Sequence, residues 1–169
     1  GRLETLRAEH ARNKKSLKSD LRRTSAFVKR LRSVPAFGDA AVLRGLLGDI
    51  ETLNLSRYVE EVSDALSSCT SSCRVGDVEG MSRIIASMHE RYDSFLPSLL
   101  PELYAVLERA AANNAAENDA RHRRVAMRTL VQLVLTGVLH GDERQDLKVL
   151  LKVVGEACGS APAPDKKSN

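Results

Sequence analysis

The segment from Ile84 to Leu100 turns one helical stripe into another within a few residues. Ile84, Ile85 and Met88 end an amphipathic helix that runs to about Tyr92, a tight corner follows, and Leu96, Leu99 and Leu100 begin the next helix. Pro97 falls in the first turn of that second helix, where a missing N–H costs little. Long alternating runs of Val, Ile and Thr are missing, which argues against sheet, and the chain is read as all-α.

Composition agrees. The 169 residues are enough for one domain or a short helical array. Leu, Ala and Arg are the commonest residues, and all favour helix. Aromatics are only 4% and Trp is absent, so the core is expected to consist of Leu, Val, Ala and Ile.

Apolar spacing divides the chain into helices. Leu17, Leu21, Val28 and Leu31, with Thr24 between, form one stripe that Phe27 widens; Leu3 and Leu6 extend this helix upstream, with fraying or a break, and Pro35 and Gly38 end it. A second helix is expected from Asp39 to Leu53, with Val42, Leu43, Leu46, Leu47 and Ile50 inside. Ser56 caps a third, burying Tyr58, Val59, Val62 and Leu66. Asp77 caps a fourth, with Val78, Met81, Ile84, Ile85 and Met88 inward. Ser94 or Phe95 opens a fifth. A sixth runs from about Asn118 to Leu139, stops at His140-Gly141, and is apolar nearly all round from Leu130 onward, as in a helix packed on several sides. A seventh spans Asp142 to about Ala157.

Helix pairs beginning near Asp39, Asp77 and Asn118 are 38 and 41 residues apart. That is close to the roughly 40-residue period of HEAT-type pairs. The expected architecture is a HEAT-like α-solenoid of about three stacked pairs. Residues 1–33 form a long basic amphipathic N-terminal helix, 34–158 the helical-repeat body, and 159–169 a disordered tail or linker.

Charge is uneven. Residues 1–33 carry 11 Lys/Arg and 3 Asp/Glu, a net of +8, and the remainder has a net of −4. Arg22, Arg23, Lys29, Arg30 and Arg32 lie off the apolar stripe and are candidates for RNA or partner contact. The alternative is a solvated face, or one neutralised by acidic residues such as Glu60, Glu61 and Asp64.

Chemistry-bearing motifs are sparse. Cys69-x-x-x-Cys73 offers too few zinc ligands, with only His89 and Cys158 as extras. His89-Glu90 begins like a zinc-protease helix, but position 93 is Asp. Phosphate-binding glycine loops and nucleophile elbows are missing. Catalytic residues, cofactor and metal are therefore all read as none. Asn54-Leu55-Ser56 matches a glycosylation sequon, but Ser56 is better read as a helix cap. Three cysteines cannot all pair within one chain, no apolar run reaches membrane-spanning length, and the charged N-terminus lacks a signal core. A reducing setting, cytosolic or nuclear, is expected, with the cytoplasm the preferred reading and no membrane contact.

Four segments resemble a known family. They are Leu21-Arg22-Arg23-Thr24-Ser25-Ala26-Phe27-Val28-Lys29-Arg30-Leu31, Leu53-Asn54-Leu55-Ser56-Arg57-Tyr58, His89-x-Arg91-Tyr92-x-x-Phe95-x-Pro97-Ser98-Leu99-Leu100, and Arg128 to Leu139 with Gly137 near its end. In this order they are similar to the first middle domain of the nonsense-mediated mRNA decay adaptor family, up-frameshift suppressor two, over about residues 17–155. That domain is of the type found in the middle of initiation factor 4G. The resemblance implies a HEAT-like scaffold without catalytic residues that brings decay factors together on messenger RNA. Contacts to the up-frameshift helicase and the third up-frameshift factor belong mainly to other parts of the family's full chain. Phe27, Asn54, Tyr58, Arg91, Tyr92 and Pro97 match motif positions and are expected to be structural. Gln132 stands where the family tends to have Glu, which removes a partner for Arg128 one turn away. Pro35–Gly38 and Ala110–Ala116 are diverged, and the family's domain continues past this C-terminus, as expected of an excised piece or a shortened form. The alternative is a middle-domain module of a translation-initiation or RNA-binding adaptor.

Overall fold

A computed structural model describes residues 2–13, 17, 19–33, 36–70, 72–112 and 117–139. The helices are α1 (Arg2–Asn13), α2 (Leu21–Ser33), α3 (Ala40–Thr52), α4 (Val59–Cys69), α5 (Val78–Arg91), α6 (Phe95–Ala112) and α7 (Glu117–Leu135), with a 3-10 turn at Val75–Asp77. No strand forms among the described residues. Residues 1–138 form one compact unit, and a second begins at Leu139. The helix expected over Asp142–Ala157, Cys158 and the tail 159–169 lie outside the described residues.

Helices two apart in sequence pack together. α2 lies on α4 and α4 on α6, while α3 lies on α5 and α5 on α7. Two rows result, joined where α6 meets α7 and α5.

The long basic N-terminal helix is two helices instead. Asp20 starts the second: its Oδ1 accepts from the Arg23 N–H at 3.0 Å. Such a cap satisfies an orphan donor of the first turn and separates α2 from what precedes it. The stripe on α2 is also rotated from the expected one. Thr24, Phe27 and Leu31 are buried, whereas Leu21 is 67% exposed. Phe27 outweighs Leu21 because its larger apolar area gains more from leaving water.

All three phenylalanines, Phe27, Phe37 and Phe95, are at most 1% exposed, and Met81 and Met88 join them. The core is therefore not purely aliphatic. The expected face of α5 is present, with Val78, Met81, Ile84, Ile85 and Met88 all buried; on α3 Leu43, Leu46 and Ile50 are buried, whereas Val42 and Leu47 are only half-buried.

Caps explain most boundaries. Asp39 Oδ1 accepts from the Ala41 and Val42 N–H groups at 2.8 and 3.1 Å, starting α3. Ser56 does not cap α4. Its N–H and Oγ–H both donate to Asn54 Oδ1, at 3.3 and 2.7 Å, and Tyr58 occupies the cap position without a side-chain bond. Asp77 likewise gives α5 no side-chain cap. Its carboxylate accepts from the Gly38 N–H at 3.0 Å and the Arg74 N–H at 2.9 Å, tying the entry to α3 to the entry to α5. Gly80 permits this approach, because a Cβ there would stand 2.0 Å from the Phe37 carbonyl oxygen.

α7 ends earlier than expected, at Gly137 rather than His140-Gly141. Gly137 has φ 70°; its N–H donates to Val134 O at 3.0 Å, and the Val138 N–H donates to Leu133 O at 2.9 Å. That bond pair with a left-handed glycine is a Schellman stop. Nor is the end of α7 enclosed on all sides: Leu130 and Leu133 are buried, but Val131 and Leu135 are 42% and 76% exposed.

Candidate functional site

The five basic candidates lie on α2 and divide by partner. Arg23 Nη2 and Arg30 Nη1 both bind Asp49 on α3, at 3.1 and 2.9 Å from its two carboxylate oxygens. Arg32 Nη2 binds Asp64 on α4 at 2.6 Å. Arg22 and Lys29 are exposed, and their side chains have no partner among the described residues. Of the acidic partners anticipated from sequence, Asp64 alone pairs with a cation of α2 among the described residues. Asp49 was not legible: it lies 26 and 19 residues from its arginines, and only the seating of α2 brings them together.

Lys29 and Arg32 line one side of a groove of about 440 Å³ with Ser25, Val28 and Ser33. Tyr58 and Glu61 form the α4 side. Nothing in the local spacing signals this groove, since its walls come from two helices.

The motif positions occupy other places. Phe27 is in the core. Tyr92 is 6% exposed, and its hydroxyl oxygen accepts from the Leu55 N–H at 3.0 Å, joining the corner after α3 to the corner after α5. Burial raises the Tyr92 phenol above its usual range, while the Leu55 N–H and the Arg91 charge pull it back. Arg91 donates to Ser87 O and Oγ at 3.0 and 2.9 Å, and approaches Glu51 at 3.8 Å. Asn54 closes the turn before α4, Tyr58 heads that helix, and Pro97 is the exposed third residue of α6.

His89 is not placed as a metal ligand. Arg7 of α1 donates to its backbone carbonyl at 3.1 Å and sits 3.2 Å from its Nδ1. The rings of His10 and Tyr92 pack nearly perpendicular, centroids 4.9 Å apart. Cys69 and Cys73 are free and buried. Burial raises the Cys69 thiol to about 11, against the pull of Arg32. Burial, then Cys69 and Asp77, raise Cys73 to about 12. Thiols held protonated are poor nucleophiles and poor metal ligands. Among the described residues no group of three or more His, Cys, Asp or Glu could hold a metal, and no helix is long and apolar enough to cross a membrane.

Over 85 residues, half of this chain, the sequence is 28% identical to "Regulator of nonsense transcripts UPF2" of Arabidopsis thaliana. The chain spans 7% of the length of that relative. No family model matches the chain, and no solved structure matches it.

Proposed function

We propose that this chain is a HEAT-like helical scaffold module, not an enzyme, that acts in nonsense-mediated mRNA decay. The observation that carries the reading is the 28% identity to a UPF2 regulator of nonsense transcripts across half of the chain. The two-row packing supports it, because successive helix pairs present long ridges to partners. The partners are other decay factors, the up-frameshift helicase and the third up-frameshift factor among them, engaged mainly by other parts of a longer protein. The setting is the cytoplasm. Arg22, Arg23, Lys29, Arg30 and Arg32 are the proposed RNA or partner contacts, and Phe27, Asn54, Tyr58, Arg91, Tyr92 and Pro97 hold the scaffold.

Affinity capture of the full-length protein from cell extract tests this reading. Recovery of decay factors is the expected result, and recovery of neither decay factors nor a messenger-bound complex overturns it.

A second reading, an RNA-binding or translation-initiation middle domain, is favoured by one observation: Arg22 and Lys29 have no partner among the described residues. It requires RNA affinity that weakens with salt and is lost when Arg22, Arg23, Lys29 and Arg30 become Ala. Capture of an initiation helicase in place of decay factors would also select it.

A further inference from the structure

The groove between α2 and α4 is unused by the fold, and its wall has an unusual origin. The apolar stripe of α2 is split by the way the helix seats. Thr24, Phe27 and Leu31 face the core, and Leu21 and Val28 are left on the outer side. Leu21, Ser25, Val28 and Arg32 follow one another at helical spacing, so they form a single line. Three of the four line residues border the groove or its rim, and Tyr58 faces them from α4. Arg22 and Lys29 run beside this line one further step around the helix, exposed and without partners among the described residues.

Half-buried Val28 and Tyr58 give the groove an apolar patch, and with the exposed cations beside it this fits an acidic segment with an apolar anchor. We propose that the α2–α4 groove docks a short acidic peptide segment of another protein. Its apolar side chain lies between Val28 and Tyr58, and its carboxylates meet Lys29 and Arg22. This names a partner class for the scaffold and so rests on that reading. Two features favour a peptide over RNA. Glu61 stands on the α4 wall, where its carboxylate repels a phosphate chain but tolerates a peptide whose acids point toward α2. Tyr58 is the one aromatic lining the groove, too little for a run of stacked bases. An apolar anchor in a pocket, with charges at the rim, is the usual division of labour in peptide capture.

The test is selection of a displayed random 12-residue peptide library on the whole chain. Winning peptides are then measured by fluorescence anisotropy, with a 12-nucleotide oligo-uridine as competitor. The expected winners place two or more Asp or Glu beside a Leu, Ile or Phe. Their affinity falls about tenfold when Arg22 and Lys29 both become Glu, as loss and reversal of two exposed charge contacts imply. It also falls on Val28→Asp. Arg22 and Lys29 are exposed and Val28 is half-buried in the groove wall, so circular dichroism and Tm are measured on each variant, and the charge-reversal pair, with both unchanged, reports on an intact fold. Winners without acidic residues, binding indifferent to these substitutions, or oligo-uridine displacing the peptides with tighter binding of its own would overturn the proposal. Decay factors captured by other surfaces would leave the scaffold reading standing while the groove proposal fails, so the two are separable.

Discussion

The backbone N–H of Leu55 donates to the hydroxyl oxygen of Tyr92, 3.0 Å away, across two corners that are 37 residues apart in sequence. One corner follows α3 and the other follows α5, so this bond locks adjacent members of one row at the same end. Tyr92→Phe removes the acceptor and leaves a buried donor unpaired. The expected cost is about 1–3 kcal/mol, read as a lower urea midpoint with an unchanged far-UV spectrum.

At the entries to α3 and α5 the lock is steric. Gly80→Ala puts a Cβ onto the Phe37 backbone, 2.0 Å from its oxygen and 2.7 Å from its carbon. Backbone cannot swing aside as a side-chain tip can, so α3 and α5 must separate. Overpacking of this kind costs about 1–3 kcal/mol or more, and thermal melting should register it, whereas Gly76→Ala, with open space around its Cβ, should be far milder.

The seating of α2 makes a paired prediction. Phe27→Ala empties a fully buried site and should cost about 3–5 kcal/mol. Leu21→Ala, on the exposed side, should change stability by under about 0.5 kcal/mol. Equal effects in denaturant titrations would contradict the rotated stripe.

The thiols predict an alkaline limit. Cys69 and Cys73 ordinarily titrate at 9.0, and folding raises them to about 11 and about 12. Folded chains thus keep protons that unfolded chains release, so stability is complete below pH 9 and falls as pH climbs toward 11–12. Tyr92, raised from 10.0, adds the same sign at the upper end. Replacing both cysteines by Ala should flatten the slope of urea midpoint against pH in that window.

Asp49→Asn frees Arg23 and Arg30 together. Both arginines are over two-fifths exposed, so stability should change by less than about 1 kcal/mol. Electrophoretic mobility and the salt dependence of any polyanion binding should instead report two newly available cations.

Helix identity was legible in the residues because burial repeats with the turn of a helix. α5 is the clearest case, its five expected core residues all buried. Boundaries were legible where a cap is local, as at Asp39, and misread where the side chain found a nearer or more distant partner. Ser56 turned to Asn54, and Asp77 to Gly38. The candidate site was half legible: the five cations stand out in the sequence, but nothing there distinguishes Arg23 from Arg22.

By itself, then, the sequence determined that this protein is helical, basic at its start, and bent sharply soon after about Tyr92. Periodicity and capping act over a few residues, so one chain suffices to state them. Only the tertiary structure decided that Phe27 rather than Leu21 faces inward, that Asp49 engages two arginines while Arg22 and Lys29 have no partner among the described residues, and that Val28 and Tyr58 line one groove from two helices. Those outcomes depend on how α2 is rotated against α3 and α4, a choice made by competing burial and ion pairing between residues distant in sequence.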